Sequence, residues 1–168
     1  MLFRSLAALP DEAFHAARVS FFPSLAGTLN HVLAVDAYYI GALRGETGLV
    51  QAWHDFQPAA TVAAWAERQA ASDQRLIDGC AALDEPGCGA LVLLPRQGRT
   101  ERDRVANVLQ HLFMHQTHHR GQAHAMLSGT PVAPPQLDEF LLSSDGPLRR
   151  DEMRALGWTE AAVYGPAP

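Results

Sequence analysis

The stretch that most constrains this 168-residue chain is Arg104 to Leu127, RVANVLQHLFMHQTHHRGQAHAML. It has no proline, and Val105, Val108, Leu112, His115, His119, Gln122 and Met126 recur at steps of three and four. That spacing marks one inward face of a helix. It predicts a continuous helix over 102–128, packed with others in a bundle that buries such faces together. No strand is expected inside 104–126.

Four of the eight histidines fall within nine residues here: His111, His115, His118 and His119. Residues four apart on a helix lie one turn above each other, so two imidazoles in HxxxH spacing can reach one cation. Burying imidazoles in an apolar seam is costly unless each ring finds a partner, and a divalent metal takes two neutral rings at once. Two pairs qualify, His111 with His115 and His115 with His119. The second is preferred because both of its members lie on the seam, whereas His111 and His118 fall at its edge. The competing reading is a helix whose histidines face solvent or bridge to polar neighbours. The zinc-peptidase pattern HExxH is absent. Gln116 follows His115 and cannot take a proton, and no Asp or Glu lies between Asp103 and Asp138, which argues against peptide hydrolysis on that pattern.

Length and composition bound the rest. The chain suits a single domain over 1–168 with a sizeable core, rich in alanine and leucine and without β-branched runs, hence all-α. A net charge of −5 leaves no basic field to hold nucleic acid. The opening MLFRSLAALPDEAF is broken by Pro10 and charges, so it reads as no signal peptide, and no apolar run is long enough for a span. A cytoplasmic protein with no membrane partner is the expectation. Cys80 and Cys88 lack CxxC spacing and are expected as packed or loop thiols.

Along the chain, residues 1–9 read as a short helix stopped by Pro10, and 11–23 as a linker. There His15 is at the surface, and Phe21 and Phe22 cover an open end of the bundle. Ser24 can cap a helix that runs to about Arg44 and ends at Gly45. Leu25, Leu29, Val32, Asp36, Tyr39 and Leu43 form its stripe, with Thr28, His31, Val35 and Tyr38 along the flank. Residues 46–58 connect to a helix over 59–83, with Val62, Trp65, Gln69 and Ser72 inward. Ala63, Ala64, Ala70 and Ala71 would permit close helix approach. DEPGCG breaks that helix. Residues 90–100 are the one extended stretch, turning at Arg96 to Gly98, after which Thr100 is expected to cap the histidine helix with Asp103. LDEFLLSS at 137–144 should be a short helix, 145–158 a further turn or two, and 159–168 a frayed tail.

The segment HLFMHQTHHRGQ, with LNHVLAVDAYYIGALRG at 29–45 and PPQLDEFLL at 134–142, resembles the DinB family of bacterial metal-binding helical bundles. The likeness runs from about Leu6 to Trp158, and HQTHHRGQ is its most specific element. It implies a four-helix bundle (DinB/YfiT-like), with a small hairpin before the histidine helix, holding one divalent metal through three histidines. By motif these are His31, His115 and His119. Three protein ligands leave a coordination position open, the pattern of a reactive site. Zinc or nickel is expected first, with iron, copper and manganese as alternatives. Asp36, Tyr38 and Tyr39 are candidates to support the site or touch substrate, and His111 and His124 to support it or lie at the surface. No dedicated general base is evident.

The wider superfamily includes enzymes that use low-molecular-weight thiols in S-transfer and isomerisation. The resemblance thus implies a metal-dependent enzyme acting on a small molecule, by thiol transfer or a related hydrolysis. The alternatives are a non-catalytic metal-binding or stress-related helical protein, and a metal-free bundle used as an interaction module. Family members begin with a complete first helix, of which MLFRSLAALPDEAF resembles only the last turns. A shortened wall beside Phe3, Leu6, Phe21 and Phe22 suggests a covering partner, and a homodimer is the expected assembly.

Overall fold

A computed structural model describes residues 2–134 and 142–165. In chain order the helices are α1 (Leu2–Ala7), α2 (Asp11–His15), α3 (Leu25–Leu43), α4 (Leu49–His54), α5 (Val62–Ala81) and α6 (Glu85–Gly89). A hairpin of β1 (Leu91–Arg96) and β2 (Arg99–Arg104) then leads into α7 (Val105–Leu127). A 3-10 turn at Ser143–Asp145 precedes α8 (Gly146–Leu156) and α9 (Glu160–Tyr164). The long helices α3, α5 and α7 form the bundle with α3 central, and α1 lies against α5 as a short fourth wall.

Local chemistry sets the ends of these helices. Ser24 Oγ accepts from the Gly27 amide at 3.0 Å and Thr61 Oγ1 from the Ala64 amide at 3.2 Å, each satisfying a first-turn donor left without a helical partner. Gly45, at φ 70°, takes the left-handed turn that ends α3. Gly41 is where α4 crosses α3 closely, since a Cβ there would stand 2.6 Å from Leu49 Cδ2. The linkers expected at 11–23 and 46–58 contain the short helices α2 and α4. Phe14 and Leu49 draw them onto the core.

The hairpin is antiparallel, pairing Leu91 with Arg104 and Arg96 with Arg99 across a turn at Gln97 and Gly98. Val92 and Leu94 point inward while Leu91 and Leu93 face solvent, the alternation of a strand with one wet face. Its second strand moves the start of the histidine helix from the expected 102 to Val105. Thr100 pairs with Pro95 instead of capping α7, and strand geometry reaches Arg104, one residue into the stretch expected to be all helix. Asp103 serves the helix start by accepting from the Arg104 amide and Asn107 Nδ2, both at 2.7 Å.

The core is apolar at both ends and polar in between. Leu6, Phe14, Leu25, Leu29, Trp65 and Leu127 pack at one end, and Tyr38, Leu49, Val92, Leu94, Val105 and Val108 at the other. Fully burying each such side chain contributes about 1.5–3 kcal/mol. Between them Asp36, with no exposed surface, accepts from Gln116 Nε2 at 2.9 Å and Gln69 Nε2 at 2.8 Å. Asn30 ties α3 to the approach of α5, donating to the Ala59 carbonyl at 3.0 Å and accepting from its amide at 2.7 Å.

Several expectations shift. Ala63, Ala64, Ala70 and Ala71 are exposed and take no part in close helix approach. The turn or two expected over 145–158 is the three-turn α8. Residues 160–164, expected as frayed, form α9, whose Glu160 carboxylate accepts from the buried Arg149 at 2.5 and 3.0 Å. The helix expected at 137–144 falls largely outside the described residues. Leu6 is fully buried and Phe3 packs on Trp65 at 5.1 Å, so of the four residues thought to need a partner only Phe21, at 81% exposed, stands open.

Burial holds the Asp36 carboxyl above its ordinary range, although hydrogen bonds from Gln116 and Gln69 pull the other way. The folded chain therefore binds the proton more tightly than the unfolded chain. Its contribution to stability is complete below the unfolded pKa and is lost as pH rises through the folded one. Asp36→Asn removes this dependence. The melting temperature of the variant relative to wild type should rise as pH is raised from the ordinary carboxylate range toward neutrality. A difference that stays flat across that range would show that Asp36 carries no such shift.

Candidate metal centre

Two helices supply three imidazoles to one place. His31 projects from the second turn of α3, and His115 and His119 from neighbouring turns of α7. Because α3 packs along α7, the rings converge, with centroids 5.0 Å apart for His31 and His115, 4.8 Å for His31 and His119, and 4.4 Å for His115 and His119. One donor nitrogen from each lies within 4.8 Å of the others. Among the described residues this is the one group of three or more potential ligands so disposed. His111 and His118 are not members of this group.

The seam also turns slightly from its expected course. Gln116 and Ala123 are buried on α7 where His115 and Gln122 were expected, and those two are half-buried. Asp36 is the physical reason. It draws Gln116 into the α3–α7 interface, which rotates His115 toward the flank where His31 stands. This also gives the glutamine in the HxxxH spacing a structural role as a core hydrogen-bond donor.

The nitrogens have defined surroundings. Nε2 of His31 and Nε2 of His115 are 3.0 Å apart. Two nitrogens bound at about 2.0–2.1 Å to one cation are separated by roughly 3.0–3.4 Å, so this edge already suits a shared ion. His119 Nδ1 donates to Gln122 Oε1 at 2.8 Å, which makes Nε2 the nitrogen available to a metal. Gln122 Nε2 in turn donates to His118 Nε2 at 3.1 Å. Nδ1 of His115 is buried and finds no hydrogen-bond partner among the described residues.

Charge favours the neutral forms. Burial, followed by the neighbouring His119, His31, His111 and His118, pushes the His115 imidazolium down to about 4. His31 is lowered by burial and then by His119. Neutral imidazole is the form that binds metals. The donor set therefore fits a borderline divalent ion such as zinc or nickel, and three ligands leave room for an exogenous one.

Aromatic residues and two cavities surround the cluster. Phe22 covers it, with ring centroids 4.4 Å from His31 and 5.7 Å from His119, so half of the Phe21–Phe22 patch packs over the site. A cavity of about 320 Å³ reaches His115, and one of about 630 Å³ reaches His31. Tyr38 and Tyr39 line the first, together with His111, whose ring is 5.1 Å from that of Tyr39. Asp36 faces the glutamines of the core and takes no part in the site. Sequence reasoning missed Trp53, His54 and Arg96 as lining residues, because they lie on α4 and the hairpin, whose docking no periodicity reveals.

A helical bundle presenting three convergent imidazoles defines a protein able to hold a metal ion. The DinB family model matches residues 1–148, and the chain belongs to this family of metal-binding helical bundles. No curated protein matches it. Among the described residues, no helix is long and apolar enough to cross a membrane.

Replacing His31, His115 or His119 by Ala should each lower the metal content of protein purified without chelator by about tenfold or more, whereas His118→Ala should retain most of it. Elemental analysis of the four variants checks this. Equal losses at His118 and His115 would break the assignment of the trio.

Proposed function

We propose that this protein is a metal-dependent enzyme acting on a small molecule, with His31, His115 and His119 holding one divalent ion, zinc or nickel in the first instance. The observation that carries the reading is the position of the imidazole cluster. His115 borders one cavity and His31 another, so an ion there is open to a ligand from outside the chain. A purely structural ion would instead be enclosed by four protein donors. When bound, the ion would supply Lewis acidity and lower the pKa of a thiol or water in the open position.

The chain's own part is to bind, orient and exclude. Gln122 holds His119 with its Nε2 free, and burial keeps His115 neutral. Phe22 shields one side of the cluster, while Tyr38 and Tyr39 shape the cavity beside it. No carboxylate belongs to the cluster, so proton transfer would fall to the substrate, water or a neighbouring imidazole such as His111. This favours a reaction whose nucleophile ionises easily once bound, and a thiol is the natural candidate. Thiol transfer, or a related hydrolysis, is the proposed reaction class.

The assembly proposed is a cytoplasmic homodimer. Its support is the exposed apolar surface of Phe113 and Met114 on α7, 46% and 67% exposed, together with Phe21. Surface of this kind is commonly covered by a partner.

Two measurements test these readings. Cobalt-substituted protein should develop a thiolate-to-metal charge-transfer band on addition of a small thiol, and His115→Ala should abolish it. An unchanged spectrum in the metal-loaded wild type would rule out an open thiol-binding position. Light scattering at micromolar concentration should give about twice the 18.2 kDa chain mass, and a monomer would overturn the dimer.

A further inference from the structure

The cavity of about 320 Å³ that reaches His115 lies at the lower end of small-molecule site volumes, about 300–1,000 Å³. Its walls are mostly aromatic and aliphatic, with Tyr38, Tyr39 and Trp53 prominent, and no Asp or Glu lines it among the described residues. Arg96, at the end of β1, is its one guanidinium.

The fold holds Arg96 in place. The Tyr38 hydroxyl donates to the Pro95 carbonyl at 2.6 Å, pinning the hairpin to α3 one residue before Arg96. The guanidinium carbon then lies 4.8 Å from the Tyr38 ring centroid and 5.7 Å from that of Tyr39, and Nη2 donates to the Tyr39 hydroxyl at 3.1 Å. Stacking on two aromatic faces orients a planar cation without using its in-plane N–H groups.

The charge of Arg96 is only partly answered from within the chain. Glu101 Oε2 stands 3.5 Å from Arg96 Nε, a long contact. The other oxygen of Glu101 takes both hydrogen bonds from Arg99, at 2.9 and 2.7 Å. One carboxylate is thus shared between two guanidiniums, the nearer one outside the cavity. A guanidinium offers five N–H donors, and these two contacts occupy only part of that set. The cavity therefore joins an apolar body, an oriented cation with spare donors, and the imidazole of His115.

We propose that this cavity binds a small carboxylate with an aromatic or aliphatic body, its carboxylate on Arg96 and its body along Tyr38 and Trp53 toward His115. Arg96 is the one guanidinium of a cavity whose other polar lining includes Gln97 and the imidazoles of His54, His111 and His115, and its planar fork matches a carboxylate held by two parallel hydrogen bonds. This names the substrate class of the reactive site and rests on that functional reading. Anion binding at Arg96 itself requires no metal.

The test uses the full chain, both as purified and after chelator treatment, with 3-phenylpropanoate and its neutral isostere 3-phenylpropanamide as probes read by calorimetry. Wild type should bind the acid about tenfold or more tightly than the amide in both preparations. Arg96→Gln should bind the two probes equally, and Arg96→Lys should keep part of the preference. Should Arg96→Gln fail to fold, Tyr39→Phe keeps the ring but removes the acceptor that orients Arg96. It should weaken acid binding by about twofold to fivefold and leave the amide unchanged. Wild type that does not discriminate, including by binding neither probe, overturns the assignment, as does an undiminished preference in Arg96→Gln or, where that variant fails to fold, unweakened acid binding by Tyr39→Phe. A preference that vanishes on chelation but survives Arg96→Gln would show the carboxylate on the metal, overturning the Arg96 site while leaving the metal reading intact. Protein that carries no metal as purified, yet whose acid preference depends on Arg96, would support the anion site and defeat the metal reading alone.

Discussion

The geometry of the whole site depends on one buried carboxylate. Asp36 sits inside the bundle and takes hydrogen bonds from Gln116 on α7 and Gln69 on α5, joining three helices through a single side chain. Apolar packing alone tolerates sliding of one helix past another. A buried carboxyl group held by two amides does not, because a shift of one residue would leave buried polar groups without partners at a cost of about 1–3 kcal/mol each. The contact between Asp36 and Gln116 thereby fixes which turn of α7 faces His31. The imidazole cluster follows from that register.

The polar middle also explains how the chain keeps titratable rings half-buried. At one end of the bundle Trp65 packs among leucines, its indole donating to the Leu29 carbonyl at 3.2 Å. At the other, Val92 and Leu94 of the hairpin close on Val105 and Val108. Burial between them lowers the pKa of His31 and His115, yet both rings remain reachable through the cavities on either side. A deeper site would have excluded a substrate, and a shallower one would have left the imidazoles free to protonate near their ordinary pKa.

The hairpin has a second role besides closing the core. Its alternation buries Val92 and Leu94 and brings Arg96 to the cavity rim, so a structural element carries a charged group to the site. The short helix α4, pressed on α3 where Gly41 leaves room, brings Trp53 to the same rim. The histidine cluster thus stands on the bundle helices, while the rim beside it is built from their connections.

Much of this was legible in the residues themselves. Ser24 and Gly45 marked both ends of α3, because a side-chain oxygen and a left-handed turn are local requirements. The periodicity over 105–127 identified α7, since burial of one face imposes its repeat on the residues. HxxxH spacing placed two histidines a turn apart, and family resemblance pointed to the third. The start of α7 was misjudged because Thr100 satisfies a capping pattern and a strand equally well, and pairing with Pro95 decides between them. The four alanines of α5 showed composition suited to close approach, but which face meets a neighbour is a tertiary matter. By itself, then, the sequence determined the long helices, the cap of α3 and the candidate imidazoles, all of which depend on neighbours within a few positions. Only the tertiary structure decided that His115 belongs with both His31 and His119, that Asp36 serves the core, and that Arg96 and Trp53 border the site. Those relations arise between elements far apart in the chain, where packing and buried hydrogen bonds act and no local pattern records the result.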